Sequence, residues 1–496
     1  MARARSRNKL CLGCASTGLV ATIYDNFNTA HSLFKFPVAE DQDRDEDREI
    51  RCQLKRDSNR YQLLKAANLI VWDEFPSNHK EVFEAAYRAL DGFQNQVVIC
   101  FGDFRQIAPV VQNGSRLQIV NASIVSSSLW QKYDVRNLTT NMRLLGLGND
   151  QRDTLLPDQL IFLQRQQQYA DMITSIGEGR WKGSNCISHD KLLGSQTISI
   201  PNVQVFTDKN DAIDFLFPNS FDTPDFNQRV ILTGTNSEVD QWNNIIQKLN
   251  PNNSPTSRKL HHLYSYDVLA EVDDPHDILK EILTPEVLNR FHKNNVPPNI
   301  LTLCVGDVCI ILRNLSKRDA LTNNTRVRIL SISKYCIHVQ TLGSNPVRAA
   351  IPRIRFKFRL PFGESYQLRR TQFPLRLAYS MSLNKAQGQE LKMALLYLRK
   401  PVFAHGHLYV GLSRVREATN IAIFTTKDSS LIGSRRGAAE DGDIVPVTTN
   451  AIYPEILLPT NISTDQGDDD NEILDRSMML IASDYNEAED ENIFMI

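Results

Sequence analysis

The chain has 496 residues, of which 42% are hydrophobic and 23% are charged. This is the composition of ordinary globular proteins, and the length suffices for several domains of about 100–200 residues each. It excludes a collagen, a small disulfide-stabilised protein and a wholly disordered chain. No apolar run approaches the roughly 18 residues of a membrane span, so no membrane segment is expected. The 8 cysteines are scattered, as is typical of a reduced, intracellular protein.

The near-zero net charge conceals two oppositely charged regions. The chain carries 56 basic and 57 acidic residues, which gives a formal net charge of −1. Between Asp465 and Ile496 there are eleven acids and one base, so this tail has a net charge of −10 and the remainder has +9. A basic body favours a polyanionic partner such as nucleic acid. An acidic tail of this kind is typically solvated and disordered.

The N-terminal part of the chain has the pattern of an α/β domain. The small-residue turn at 16–18 (Ser-Thr-Gly) predicts the start of a helix. Ala66–Trp72 and Gln96–Phe101 are largely apolar, which is typical of strands buried in a parallel sheet, and Lys80–Leu90 predicts an amphipathic helix between them. Strand, helix and strand at this spacing predict an α/β fold with a parallel sheet.

The rest of the chain alternates between α/β and β-rich segments. A Gln-rich stretch at 156–177 predicts a helix. Residues 258–369 hold several β-rich runs separated by Pro and Gly, which indicates a small inserted β module. The α/β segments around this insertion are the predicted strands Arg229–Thr233, Arg376–Ser380, Ala394–Leu398 and Asn420–Thr425 and the predicted helix Asn236–Leu249.

Two adjacent carboxylates, Asp73 and Glu74, follow the first of these apolar strands. Ligands of open α/β sheets bind in the crevice beyond the carboxyl ends of the strands. In nucleoside triphosphatases of this build, one carboxylate holds the magnesium shell and the next polarises the attacking water. An isolated match of this kind is more often a strand that ends in solvated charges, so the surrounding motifs decide its meaning.

The segment FGDFRQIAPVV at 101–111 places Gln106 just beyond the end of the neighbouring strand. A Gln at such a strand end can hydrogen-bond both a γ-phosphate and its attacking water. Arg143 follows the sequence LTTNM, and Arg414 lies in GLSRVR. Two arginines that face a phosphate site from a second domain would clamp the transferring γ-phosphoryl group. Either arginine alone is more often part of a surface ion pair.

Two polar segments suit contacts with a sugar–phosphate backbone. SMSLNKAQGQE at 380–390 combines Ser, Asn, Lys and Gln with a Gly that lets the backbone approach a ligand, and TAHS at 29–32 could do the same from the first domain. Such groups position phosphates without reading base sequence. Basic residues also recur between Arg348 and Arg370, where phosphate contact and a solvated strand face are about equally expected.

Together these motifs resemble the Pif-type DNA helicases of superfamily 1B, and most of all the helicase region of Helitron transposons. The likeness runs from about Leu10 to Leu458. It rests on segments that occur in the family's order, namely ASTG…TAHSLFKFP, VWDEF, GDFRQIAPVV, LTTNMR, ILTGTN, VGDVCIILRNL, LRLAYSMSLNKAQGQ and LYVGLSRV.

The resemblance implies an α/β fold of two RecA-like parallel-sheet domains, with ATP between them and a small β-rich insertion in the second. The implied parts are a first domain at 1–143 with a charged insertion at about 40–60, a second domain at 144–257 and 370–458, the inserted module at 258–369, and the acidic tail at 459–496.

The resemblance also implies roles for individual residues. Asp73 and Glu74 are the magnesium and water carboxylates, with Asp73 as the Mg²⁺ ligand. Gln106 is the γ-phosphate sensor. The implied arginine fingers are Arg143 and Arg414, the implied ATP contacts are Asp73, Gln106, Gln387 and Gly388, and the implied DNA contacts are Thr29, His31, Ser32, Asn384, Lys385 and Gln387.

The activity implied by the resemblance is that of an ATP- and Mg²⁺-dependent DNA helicase. Such an enzyme translocates 5′ to 3′ on single-stranded DNA and unwinds forked DNA ahead of it. The resemblance further implies a monomeric, intracellular, nuclear protein that acts in DNA repair, recombination, telomere maintenance or transposition.

One motif of the family is missing from these 496 residues. Its P-loop ends in Gly-Lys-Ser or Gly-Lys-Thr, and neither triplet occurs in the sequence. Because the P-loop is the main phosphate cradle, we expect weakened ATP binding and impaired or absent helicase activity. Only 14 residues precede ASTG, which suggests an N-terminally truncated chain. The alternatives are a non-enzymatic remnant that binds single-stranded DNA and a transposon or gene-model fragment.

Overall fold

The structure is a computed structural model that describes most of the chain. Arg143, the charged segment up to residue 49 and the tail apart from 477–482 lie outside the described residues. The described ranges are 1–24, 26–37, 50–138, 157–181, 186–190, 195–218, 225–249, 259–269, 283–293, 295–316, 318–342, 346–360, 366–400, 402–425, 447–457 and 477–482.

The described strands and helices alternate in the first domain and again around the β-rich insertion. The strands are β1 Cys11–Ala15, β2 Phe27–Thr29, β3 Leu69–Asp73, β4 Val97–Gly102, β5 Tyr133–Leu138, β6 Cys186–Asp190, β7 Ser195–Ser199, β8 Gln204–Phe206, β9 Arg229–Thr233, β10 His261–Tyr264, β11 Tyr266–Leu269, β12 Ile300–Leu303, β13 Val308–Ile311, β14 Arg326–Ile332, β15 Cys336–Thr341, β16 Arg348–Pro352, β17 Ile354–Arg359, β18 Gln367–Gln372, β19 Leu375–Leu377, β20 Ser380–Ser382, β21 Met393–Tyr397, β22 Ile421–Phe424, β23 Val447–Ala451 and β24 Ser477–Ala482. The helices are α1 Ala2–Ser6, α2 Gly18–Ala21, α3 Ala30–Phe34, α4 Asn59–Ala66, α5 Lys80–Ala89, α6 Arg116–Ala122, α7 Pro157–Gly177, α8 Lys209–Leu216, α9 Asn236–Leu249, α10 Pro285–Leu288, α11 Leu383–Ala386 and α12 His407–Leu412.

The first domain is built around a six-stranded sheet in the order β2-β1-β3-β4-β24-β5. The strands β2, β1, β3 and β4 run parallel to one another. The two strands and the helix predicted here are confirmed as β3, β4 and α5. Because parallel strands end at the same edge of a sheet, the residues after Asp73 and Gly102 emerge side by side.

One strand of this sheet comes from the acidic tail. β24 lies between β4 and β5 and is antiparallel to both, with Leu480 opposite Cys100 on one side and Val135 on the other. Its sequence, SMMLIA, carries no charge and lies between the acidic clusters of the tail. Pairing with two strands satisfies its backbone groups. At residues 477–482 the structure therefore differs from the expected disorder.

An aromatic cluster fixes the end of β3. Trp72 is fully buried, and its ring stacks on Phe34 with a centroid distance of 5.4 Å. Phe75 and Phe83 meet the same ring edge to face at 5.5 and 5.8 Å. Each such aromatic pair contributes about 0.5–1.5 kcal/mol beyond the burial of its area. The two carboxylates that follow Trp72 therefore leave the sheet from a rigid support.

The second domain has a parallel sheet of its own, in the order β20-β9-β21-β22-β8. The predicted strands at 229–233, 394–398 and 420–425 are confirmed as β9, β21 and β22, and the predicted helices are confirmed as α7 and α9. The predicted strand Arg376–Ser380 is wrong. The chain passes there from one sheet to another, so β19 belongs to the insertion and β20 to the parallel sheet.

The β-rich character of the insertion is confirmed. Its main sheet is antiparallel in the order β16-β15-β14-β13-β19, and a three-stranded sheet has the order β11-β18-β17. Pairing of β19 with β13 extends the module to Leu377, beyond the expected end at 369. A buried ion pair joins β11 to β18, because the Arg370 guanidinium donates hydrogen bonds of 2.6 to 3.0 Å to the Asp267 carboxylate.

None of the helices within the described ranges is long and apolar enough to cross a membrane.

Candidate functional site

The two carboxylates predicted from the sequence lie in a tight turn at the end of β3. Glu74 has a φ of +52°, a left-handed conformation that L-residues rarely adopt. Asp73 Oδ1 accepts a hydrogen bond from the Glu74 amide at 2.8 Å, and Ser16 Oγ donates to the Glu74 carbonyl at 2.6 Å. Non-glycine residues in this conformation cost about 1–3 kcal/mol and cluster at functional sites. The turn is therefore held in one shape by its neighbours.

The surroundings of Glu74 raise the pKa of its carboxyl group to near neutral pH. Burial, together with the neighbouring carboxylates of Asp73 and Asp103, raises the pKa of Glu74 to about 7. Arg414 and a hydrogen bond from Gln387 act in the opposite direction. A carboxylate with a pKa near the working pH is suited to accept a proton from a reacting water.

Asp73 also affects a tyrosine on the first domain. Burial and the adjacent Asp73 carboxylate raise the pKa of Tyr24 to about 12, so its hydroxyl stays protonated and can donate to Asp73. No group of three or more His, Cys, Asp or Glu side chains that could hold a metal occurs in the described part of the chain. Mg²⁺ needs no such cage, since it commonly binds one or two carboxylates together with substrate phosphates and waters. Asp73 with Glu74 fits that donor set.

The turn after β4 carries Gln106. Asp103 Oδ1 accepts hydrogen bonds from the Arg105 amide at 3.0 Å and from Arg105 Nε at 2.8 Å, which closes the turn over a buried guanidinium. The Gln106 Oε1 atom is buried and has no hydrogen-bond partner within the described residues. A buried acceptor without a partner costs about 1–3 kcal/mol, so this oxygen is suited to receive a water or ligand proton.

The second domain contacts this turn closely. Tyr409 Oη donates to Asp103 Oδ2 at 2.7 Å. Gly406 has a φ of +73°, and a Cβ atom there would lie 2.5 Å from the Arg105 carbonyl oxygen. Any larger residue would push the two domains apart, because real Cβ atoms do not approach backbone so closely.

A histidine bridges the same turn to the C-terminal part of the fold. The Nε2 atom of His405 lies 2.8 Å from the Phe104 carbonyl oxygen, and the Tyr453 amide donates to Nδ1 at 2.9 Å. The carbonyl can only accept and the amide can only donate, so the ring is neutral with its proton on Nε2. Burial lowers the pKa of His405 to about 4, which agrees with this assignment.

The segment after α11 faces the carboxylates from the second domain. Gln387 Nε2 lies 3.5 Å from Glu74 Oε2. Gly388 has a φ of +73°, and a Cβ atom there would lie 3.2 Å from a methyl group of Val20 and 4.0 Å from Glu74 Oε1. The structure thus brings Gln387 and Gly388 close to Glu74, and their role in ATP binding stays a prediction.

Arg414 lies just beyond the end of α12 and is buried. Its guanidinium donates to the carbonyl oxygens of Val410 at 2.8 Å, Ala386 at 3.2 Å and Gln389 at 3.0 Å. It is close enough to lower the pKa of Glu74. A role as an arginine finger would therefore require Arg414 to exchange carbonyl contacts for a phosphate. Arg143, the other predicted finger, lies outside the described residues.

The predicted DNA contacts on the first domain lie around the start of α3. The Thr29 hydroxyl caps this helix by accepting from the Ser32 amide at 3.2 Å, and Ser32 is exposed. The His31 ring packs edge to face against Phe36 at 5.6 Å. Thr29 therefore has a structural role in holding Ser32 in place.

The predicted DNA contacts on the second domain lie on α11. Asn384 is exposed, and its Oδ1 lies 3.0 Å from His407 Nε2. Burial and the nearby Arg376 lower the pKa of Lys385 to about 8. Lys385 therefore stays mostly protonated at neutral pH, and a phosphate beside it would raise its pKa again.

The sequence patterns missed the second-domain residues that contact the turn after β4. His405, Gly406 and Tyr409 lie in AHGHLYVG, immediately before the GLSRVR motif. The available signals were the single glycine between two histidines and the LYVGLSRV motif, which contains Tyr409, and neither indicates a partner 300 residues away. Asp103 and Arg105 lie in the motif FGDFRQIAPVV, in which only Gln106 was predicted to be functional.

The chain is similar to known DNA helicases in sequence and in fold. Residues 1–186 match the family model described as PIF1-like helicase. The ATP-dependent DNA helicase PIF6 of Trypanosoma brucei brucei is 26% identical over 147 residues, which are 28% of this chain and 18% of that protein. The ATP-dependent DNA helicase PIF1 of Danio rerio is 28% identical over 152 residues, which are 28% of this chain and 21% of that protein. The matched segment thus spans about a fifth of these relatives.

Solved structures extend the likeness to most of the fold. The crystal structure of Pif1 helicase from Candida albicans has a TM-score of 0.51 and 19% identity, and the match covers 85% of this chain and 86% of that one. The crystal structure of Bacteroides Pif1 bound to ssDNA has a TM-score of 0.52 and 17% identity, with 85% and 84% covered. The fold is therefore that of two RecA-like domains with a β-rich insertion. The predicted resemblance to the Pif-type helicases is confirmed.

Proposed function

We propose that the cleft between the two RecA-like domains is the ATP-hydrolysis site of a DNA helicase. The observation that carries this proposal is the approach of Gln387 from the second domain to Glu74, which shares a tight turn with Asp73 on the first domain. The first domain thus supplies candidate groups for magnesium and for the attacking water. The second domain supplies Gln387 from the other side of the proposed cleft. Hydrolysis at such a site would change the contacts between the domains and so move them relative to each other.

Each residue has a proposed role. Asp73 would hold Mg²⁺, which would neutralise the charge of the phosphates. Glu74 accepts a proton from the attacking water, which its pKa of about 7 suits. Gln106 uses its unpartnered Oε1 to orient that water. Gln387 donates a hydrogen bond to Glu74 from the second domain, so this contact depends on whether Glu74 is protonated.

The proposed DNA partner is a single strand that contacts both domains, with forked DNA as the unwinding substrate. Ser32 at α3 and Asn384 at α11 offer exposed polar groups, and the half-buried Lys385 offers a cation, at the sites implied by the resemblance. The Bacteroides neighbour is a Pif1 bound to ssDNA, which supports this choice. The narrower likeness to Helitron helicases stays a prediction.

We further propose that the 496 residues hydrolyse ATP only weakly. The sequence contains no Gly-Lys-Ser or Gly-Lys-Thr. The proposed ATP site therefore has the carboxylates of Asp73 and Glu74 and the γ-phosphate sensor Gln106, but no P-loop lysine to neutralise the phosphates. A second candidate function is single-strand binding without hydrolysis. The same missing triplets favour it, and it needs only the DNA contacts.

DNA-stimulated ATP hydrolysis tests both parts of the proposal. We expect slow turnover by the unaltered chain that rises with pH through about 7, as Glu74 loses its proton. The Glu74→Gln variant should lower the rate about 100-fold or more and lose this pH dependence, since losing a general base costs about 10²–10⁴ in rate. The variant Glu84→Gln, which alters a carboxylate on α5, is the matched control and should keep both.

Two results would contradict the proposal in different ways. A rate that Glu74→Gln leaves unchanged would show that the described cleft is not the hydrolytic site. Turnover near the 1–100 s⁻¹ that is roughly typical of phosphoryl-transfer kinases would contradict the proposed weakness of hydrolysis, while leaving the site in place. Single-strand binding with no hydrolysis at all would favour the second candidate function.

A further inference from the structure

A buried ion pair crosses from the first domain to the second beside Gln106. The Arg105 guanidinium lies 3.9 Å from Glu178 Oε1, and the two side chains are only 2% and 1% exposed. Glu178 directly follows the last residue of α7, a helix of the second domain that packs against α12. Arg105 directly precedes Gln106, so the pair restrains the backbone from which the Gln106 side chain starts.

The ion pair belongs to a larger buried group. Asp103 Oδ1 accepts hydrogen bonds from the amide and from Nε of Arg105, and Asp103 Oδ2 accepts one from Tyr409 on α12 at 2.7 Å. The Arg105 guanidinium also lies over the Tyr409 ring, 5.3 Å from its centroid. We call this group of Asp103 and Arg105 from the first domain and Glu178 and Tyr409 from the second domain the turn clamp.

The turn clamp is closely packed on both sides. A Cβ atom on Gly177 would lie 2.5 Å from a carbon of the Tyr409 ring, and one on Gly406 would lie 2.5 Å from the Arg105 carbonyl oxygen. Interiors packed this tightly transmit a displacement of one group to the next. The tyrosine ring and the turn after β4 therefore move together.

The charges of the turn clamp give the contact a direction. Apolar residues of the same volume often hold a buried contact as well as an ion pair does, because the ion pair must first lose its water. Three charge-assisted hydrogen bonds, in contrast, hold the single carboxylate of Asp103 at defined angles. The carbonyl oxygen of Asp103 accepts from the Gln106 amide at 3.2 Å. Asp103 thus joins Tyr409 of the second domain to the backbone of Gln106.

We propose that the turn clamp positions Gln106, so that the second domain sets the placement of this side chain through Tyr409. The proposal deepens the proposed function, because it rests on Gln106 orienting the attacking water. Tyr409 is a positioning residue here, since it acts through Asp103 and touches no reacting atom. A misplacement of about 1 Å can cost about 10²-fold in rate, so a positioning residue can have a measurable effect.

The test compares two tyrosine variants of the full chain. Tyr409→Phe removes the hydroxyl that donates to Asp103 and keeps the ring. The matched control is Tyr169→Phe on α7, because the buried Tyr169 hydroxyl donates to the Leu412 carbonyl at 2.8 Å and this bond stays within the second domain. Each variant loses one buried hydrogen bond, so both should lower the melting temperature by a similar few degrees.

We expect Tyr409→Phe to lower the kcat of DNA-stimulated ATP hydrolysis about 10-fold with an unchanged KM for ATP, since the water and not the nucleotide is misplaced. Tyr169→Phe should keep the kcat of the unaltered chain. In a Gln106→Ala background, Tyr409→Phe should cost nothing further, because a residue that acts through Gln106 then has no side chain left to position.

Hydrogen exchange gives a readout that does not depend on hydrolysis. The amides of Arg105 and Gln106 both donate to Asp103. They should exchange about 10-fold faster in Tyr409→Phe than in the unaltered chain, and at an unaltered rate in Tyr169→Phe.

Several results would overturn the proposal. They are an equal loss of kcat in the two tyrosine variants, a full additional loss from Tyr409→Phe in the Gln106→Ala background, and an unchanged kcat in Tyr409→Phe. A chain that hydrolyses no ATP overturns the proposed hydrolytic site, and amide exchange then decides alone. Faster exchange confined to Tyr409→Phe would still support the turn clamp, and unchanged exchange would overturn it.

Discussion

Acidification from about pH 7 to about pH 5 is expected to destabilise the fold, because the buried His405 at the contact between the two RecA-like domains and the buried His407 on α12 must stay neutral. Burial lowers the pKa of both rings to about 4, against 6.5 in an unfolded chain. Between these values the unfolded chain binds protons that the folded chain does not, so the free energy of unfolding falls as the pH falls. The loss is about 2 kcal/mol for each histidine at pH 5 and reaches about 3 kcal/mol below pH 4.

His405 should account for about half of the lost free energy of unfolding. Its protonation should also weaken the contact between the two domains. Its protonation places a second N–H opposite the Tyr453 amide, so one bond of the bridge from Phe104 to Tyr453 is lost. Asp103 and Glu455 lie close enough to oppose the shift in pKa, and they limit its size. The contact of Gly406 with the turn after β4 should weaken with it.

The measurement is urea unfolding at a series of pH values, with the His405→Gln variant beside the unaltered chain. The variant should be less stable at about pH 7 but should lose less stability on acidification, since one titrating group is gone. The control is His338→Gln on β15 of the insertion, which should keep the full pH dependence. A His405→Gln variant with the pH dependence of the unaltered chain would contradict this role of the histidine.

The variant Asp267→Ala is expected to lower the stability of the inserted module by about 3–5 kcal/mol, because it leaves the buried Arg370 charge without its partner. Both side chains are only 1% exposed. The remaining acceptor of Arg370 is the Pro297 carbonyl at 3.2 Å, which cannot neutralise the guanidinium. This loss should appear mainly in the sheet β11-β18-β17.

Hydrogen exchange of the β17 and β18 amides measures this local stability. The matched control is the double variant Asp267→Leu/Arg370→Met, which removes both charges and fills the space with apolar atoms. Such replacements are often neutral or stabilising, so the double variant should recover most of the protection. Equal loss in the single and double variants would show that packing, rather than the charge pair, holds this sheet together.

The carboxyl ends of β3 and β4 could be predicted from the sequence, and the reason is geometric. Apolar runs mark buried parallel strands, and parallel strands end at one edge, so the turns that carry Asp73, Glu74 and Gln106 follow neighbouring strand ends. The bounds of α9 and β9 were predictable because their apolar periodicity is clear. The approach of Gln387 followed from the family resemblance and not from any local pattern.

Contacts between distant segments could not be predicted in this way. The bond of Tyr409 to Asp103 and the packing of Gly406 on Arg105 depend on how two sheets meet, which local periodicity does not encode. The pairing of SMMLIA between β4 and β5 was hidden because the surrounding acidic residues dominate the composition of the tail. The split of 376–380 into β19 and β20 was missed because one apolar run served two different sheets.

We propose that Asp73 and Glu74, with Gln106 and Gln387, form a nucleotide site between the domains. Equilibrium binding of a non-hydrolysable ATP analogue, with and without Mg²⁺, tests it most directly. We predict weak, saturable binding that Mg²⁺ strengthens and that Asp73→Asn abolishes, while Asp134→Asn on β5 leaves it unchanged. Binding that does not depend on Mg²⁺, that Asp73→Asn does not affect, or that never saturates would contradict the claim.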